Sequence, residues 1–75
     1  MTTFETGDLH LAAFLRCQGH ELLGLAPGPR GQLFLFRDTE QREKDVLAYI
    51  NGTAHVPAQP FVAILRELKA LIHNR

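Results

Sequence analysis

Seventy-five residues of 8.4 kDa leave room for one small domain over residues 1–75 and no second core, and a chain near this size buries only about 60% of the surface it exposes unfolded. Eight Lys and Arg balance eight Asp and Glu, which argues against a general nucleic-acid binder. A hydrophobic content of 45% argues against disorder, and the lone cysteine excludes an internal disulfide and a multi-cysteine zinc site.

The stretch MTTFETGD is acidic and carries no apolar signal core, and the longest apolar stretches, Leu11–Leu15 and Phe61–Leu65, are short. Neither secretion nor membrane insertion is expected, which leaves a soluble cytoplasmic domain. Thr6 suits an N-cap, Asp8 then falls in the first turn, and Gly19 suits the position after the helix end. A helix from about Gly7 to Gln18 follows. Phe4 either staples back onto that helix or extends as a short strand.

Two apolar runs, HELLGLA and QLFLFRD, flank the turn cluster PGPRG and read as a β-hairpin. Pairing Ala26 with Gln32 sets Leu25 opposite Leu33, Gly24 opposite Phe34, Leu23 opposite Leu35 and Leu22 opposite Phe36. It also sets Glu21 against Arg37, a favourable cross-strand pair. A bulge in the turn would shift this register.

Asp38 is expected to cap a second helix, with Gln41 three residues on. Its first half is polar, and Val46, Leu47 and Ile50 are assigned to the core. Asn51-Gly52 ends it, and a connector leads to a third helix starting near Ala58. There Phe61, Ile64, Leu65, Leu68, Leu71 and Ile72 follow the spacing of one apolar face. The order is α-β-β-α-α, with a possible N-terminal strand, and the class is α+β.

With these elements placed, the chain resembles a small family of bacterial and phage proteins grouped as a domain of unknown function, of the 5659 type. The matching residues begin with Phe4-x-Thr6-x-Asp8-Leu9, then Leu11-Ala12-Ala13-Phe14-Leu15 and Gly19. They continue through Phe34-x-Phe36-x-Asp38-Thr39 and Tyr49-x-Asn51-Gly52. The end matches in Val56-x-Ala58-x-x-Phe61, Leu65-Arg66-x-Leu68-Lys69 and Leu71-Ile72-His73. The resemblance covers nearly the whole chain and implies an intact, self-standing domain. It implies no activity, ligand or catalytic residue.

The residues that could carry chemistry are few. Cys17, His20 and His55 are a conceivable zinc set, but the usual paired spacings are missing. His10 and Cys17 lie about 10 Å apart along one helix, too far to share an ion. The reading is therefore a buried thiol, surface histidines, and neither metal nor cofactor. Cys17 also sits at the wrong helix end for a lowered thiol pKa. The turn Pro27-Gly28-Pro29-Arg30-Gly31 joins two strands and lacks a phosphate-loop ending, leaving Arg30 as a conceivable partner contact. The run Asp38–Asp45 interleaves acids and bases as a solvated helix face does. No constellation supports an enzyme.

Two functions remain. The first is a non-enzymatic interaction module that homodimerises. Both faces of the hairpin are apolar, and the first helix is apolar almost all round, so seventy-five residues are hard pressed to cover everything. Leu11, Phe14, Leu15, Phe34 and Phe36 are the candidate interface. The alternative is a small nucleic-acid-associated regulatory protein using the basic last helix through Arg66, Lys69 and Arg75. The connector Gly52–Pro57 is too long for a helix-turn-helix, so nucleic acid ranks second.

Overall fold

The fold is an α+β domain whose elements run β1 (Thr3–Thr6), α1 (Leu9–Cys17), β2 (Leu22–Gly28), β3 (Gly31–Arg37), α2 (Glu40–Ile50) and α3 (Ala58–His73). It is seen in a computed structural model that describes residues 2–74. The three strands form one antiparallel sheet in the order β1-β3-β2. The segment around Phe4 is thus a strand, with Phe4 opposite Phe36 and Thr6 opposite Phe34.

The α1 helix begins two residues later than expected. Asp8 is its N-cap, accepting from the His10 and Leu11 amides at 3.0 and 3.1 Å, while Thr6 Oγ1 accepts from the Asp8 amide. The Asp8 carboxylate reaches two free amides of the first turn, where Thr6, two residues earlier, reaches only the amide of Asp8 itself. At the other end Gly19 takes φ 91°, with its amide on Arg16 O and the His20 amide on Leu15 O. This paired closure needs a left-handed residue, which glycine adopts without cost.

The hairpin register agrees with expectation only at its base. Leu22 faces Phe36, and the Arg37 amide donates to Glu21 O. A bulge between Leu22 and Gly24 then absorbs one residue. Gly24 consequently faces Leu35, not Phe34, and Leu25 faces Phe34, while Gly28 and Gly31 close a tight turn over Pro29 and Arg30. The shift by one residue turns Leu25 to the core face, where an unbulged strand would have sent it outward.

Thr39, not Asp38, caps α2, its hydroxyl accepting from the Arg42 amide at 3.0 Å. Asp38 instead accepts from the Arg42 side chain at 2.8 Å, and Arg42 lies 4.2 Å over the Phe4 ring. Leu47 and Ile50, assigned to the core from sequence, are 53% and 69% exposed. Val46 and Tyr49 take the inward positions, with the Tyr49 ring 5.5 Å from that of Phe14. The end of α2 is apolar on both sides, so spacing alone cannot choose between them. In α3 the expected stripe holds for Phe61, Ile64, Leu65, Leu68 and Ile72, while Leu71 turns partly outward.

Leu11, Ala12, Ala13, Phe14 and Leu15 are all buried, so α1 is enclosed by its own chain. Residues Phe4, Leu22, Leu25, Phe34 and Phe36 supply the sheet's share of the same core. Leu33, Leu35 and Ala26 face the other way, outside that core. The helices therefore cover one face of the sheet.

Candidate functional site

The five residues expected at an interface are interior. Phe34, Phe36 and Leu15 are fully buried, and Phe14 and Leu11 nearly so, within one chain. No second copy can reach them while the domain is folded, which corrects the interface drawn from sequence. Among the candidate nucleic-acid contacts, Arg66 and Lys69 are exposed on α3. Arg75 lies outside the described residues.

The polar group that the sequence reading missed is His20 with Asp45. Both are 7% exposed, and His20 Nε2 lies 2.6 Å from Asp45 Oδ2. Gln41 Nε2 donates to Asp45 Oδ1 at 2.9 Å, and Arg16 holds the His20 carbonyl at 2.7 Å. His20 is thus no surface histidine, and Asp45 is no part of a solvated face. Burial pushes the Asp45 carboxyl up, but the hydrogen bonds from Gln41 and His20 outweigh it and hold the group below its ordinary value. An ionised carboxylate can only accept, so His20 Nε2–H donates to it.

The pair fastens the end of α1 to the middle of α2. Its chemistry is closed. Both Asp45 oxygens are engaged, and the Nε2 proton of His20 is spent on Oδ2. Cys17 is half-buried, and burial raises its thiol above the usual value against the pull of Arg16. That is the opposite of an activated nucleophile. Among the described residues, no three His, Cys, Asp or Glu side chains gather as a metal group. No helix described is long and apolar enough to cross a membrane.

What the surface offers instead is apolar. Leu47, Ile50, Val62, Leu23 and Leu71 are all exposed. On the outward side of α3, residues Ala58, Gln59, Val62, Ala63 and Arg66 line an open groove of about 390 Å³. On α2, Leu47 and Ile50 follow Glu40 and Glu43 along one outward line. Isolated exposed leucines are ordinary in any protein, and of these five only Leu47 and Ile50 share one helix face.

No curated protein and no solved structure matches the chain. A family model does match it, over residues 1–74, that of the domain of unknown function DUF5659. This nearly complete match, on a chain that folds as one α+β unit, places the protein in the DUF5659 family.

Proposed function

We propose that the protein is a non-enzymatic interaction module that homodimerises. The observation that supports this is the pair Leu47 and Ile50, 53% and 69% exposed after the core has closed. Leu33, Leu35 and Ala26, half-buried on the sheet face turned away from the core, add a smaller share. So small a domain gains more from sharing such surface than from solvating it. The closed His20–Asp45 pair and the raised Cys17 thiol favour a binding role over catalysis. A free cysteine also suits the reducing cytoplasm.

Light scattering at micromolar concentration tests the proposal. The expected mass is twice 8.4 kDa. A single 8.4 kDa species up to about 100 μM, a weak-dimer concentration range, overturns it.

The rival reading rests on Arg66 and Lys69, which share one exposed side of α3. A mobility shift lost steeply as salt rises would favour nucleic acid.

A further inference from the structure

The outward faces of α2 and α3 match each other in a way that one chain cannot use. On α2, Glu40, Glu43, Leu47 and Ile50 recur at intervals of three, four and three, and all are exposed. On α3, Gln59, Val62, Arg66 and Lys69 recur at the same intervals, and all are exposed. This spacing places each set along one seam of its helix. The α2 seam begins in two acids and ends in Leu47 and Ile50, and the α3 seam begins in Gln59 and Val62 and ends in two bases. Read antiparallel, Ile50 meets Gln59, Leu47 meets Val62, Glu43 meets Arg66, and Glu40 meets Lys69. Leu47 falls on Val62, Ile50 falls on the polar Gln59, and each acid falls on a base. Lys44 sits at the edge of the α2 seam, beside Glu40. Within one chain the two seams point outward, and α2 and α3 each pack on α1.

We propose that a second copy of this chain supplies the match. The α2 seam of each copy lies antiparallel on the α3 seam of the other, so the contact occurs twice about a two-fold axis. This rests on the self-association proposed above and names the surface that carries it. The groove of about 390 Å³ beside Val62 and Arg66 receives the partner's Leu47. Leu47 against Val62 supplies the apolar contact, and the two acid–base steps fix the antiparallel register and reject the parallel one. Such a contact is isologous and closes at two copies. It also places Arg66 and Lys69, the cations a nucleic acid would need, against carboxylates.

Charge reversal tests this. Glu43→Arg sets Arg against the partner's Arg66, and Arg66→Glu sets Glu against the partner's Glu43, each twice per dimer. Each single variant should keep the wild-type circular dichroism spectrum, because both positions are exposed. Each should weaken dimerisation at least about tenfold at low salt. An equimolar mixture of the two variants should recover the dimer to within about threefold, because every contact in the mixed dimer pairs opposite charges. Recovery by mixing is possible only for a contact made between chains. A wild-type dimer that neither reversal weakens overturns the seam and leaves self-association standing, with Leu35→Glu on the open sheet face as the next probe. A monomeric wild type overturns both. Reversals that abolish a nucleic-acid shift without changing the mass also overturn the seam.

Discussion

His20 and Asp45 sit where α1 and α2 meet over little apolar surface. Beyond Val46 and Tyr49, α2 meets the rest of the chain through polar groups, Asp45 held by Gln41 and Arg42 held by Asp38. A buried pair of this kind is costly to break on one side only, because the remaining partner stays dry and unpaired. Asp45→Ala is expected to cost about 1–3 kcal/mol, read as a fall in urea midpoint. A change within error would mean that water reaches His20 freely. The pH dependence follows from the lowered Asp45 carboxyl. Its contribution is fully present above the unfolded value, about pH 4, and is lost as pH falls through the lower folded value. The gap in midpoint between wild type and Asp45→Asn should therefore narrow on acidification below about pH 4. A gap that stays constant to low pH contradicts the assignment. Neither residue announces this pairing in the sequence. They are twenty-five positions apart, His20 follows a helix end, and Asp45 hides in a charged run. Glu21 with Arg37, by contrast, was legible because hairpin geometry sets them side by side, and they lie 2.8 Å apart.

Single elements differ in how far their pattern decides their packing. The α3 helix has one apolar stripe and a charged back, so its orientation could be read directly. Leu68 at the centre of that stripe is 4% exposed, and Leu68→Ala should cost about 2–5 kcal/mol in chemical denaturation. Leu47→Ala on α2 should leave monomer stability within about 0.5 kcal/mol. Equal losses at the two positions would mean that Leu47 is packed in the monomer. The hairpin was harder to read, because both sides of LFLF are apolar and a single inserted residue decides which side faces in. The bulge at Leu22–Gly24 settles it, burying Phe34 and Phe36 and turning Leu33 and Leu35 away. Phe34→Glu should therefore unfold the chain, and Leu35→Glu should leave it folded, as circular dichroism can tell. A folded Phe34→Glu protein would reverse the assignment of faces. Helix ends moved by a residue or two for a local reason. Asp8 and Thr39 each lie where a side-chain oxygen reaches the first free amides.

At the scale of the whole molecule, the α+β class and the run of helices and hairpin follow from periodicity and turn residues. The sheet does not, because its third strand is four residues long and joins through distant pairing. The enclosure of α1 was expected from its apolar surface, and the chain achieves it without a partner. The excess therefore lies outward, at Val62 and at Leu47 and Ile50, the two residues that the sequence pattern assigns to the core. The strand order β1-β3-β2 also bears on the route by which the domain forms. The hairpin closes across a short turn and can form within microseconds. Phe4 must find Phe36 from thirty-two positions away, after the chain has lost the freedom to search cheaply. The loop-closure cost therefore favours a route in which β1 docks last, on a hairpin already made. Phe4→Ala should speed unfolding while leaving refolding nearly unchanged in stopped-flow experiments. Refolding slowed by the full loss of stability would place β1 in the nucleus instead. On the late-docking route, a folding chain holds an open edge on β3 until its own β1 arrives, and that edge is then where a second folding chain can intrude.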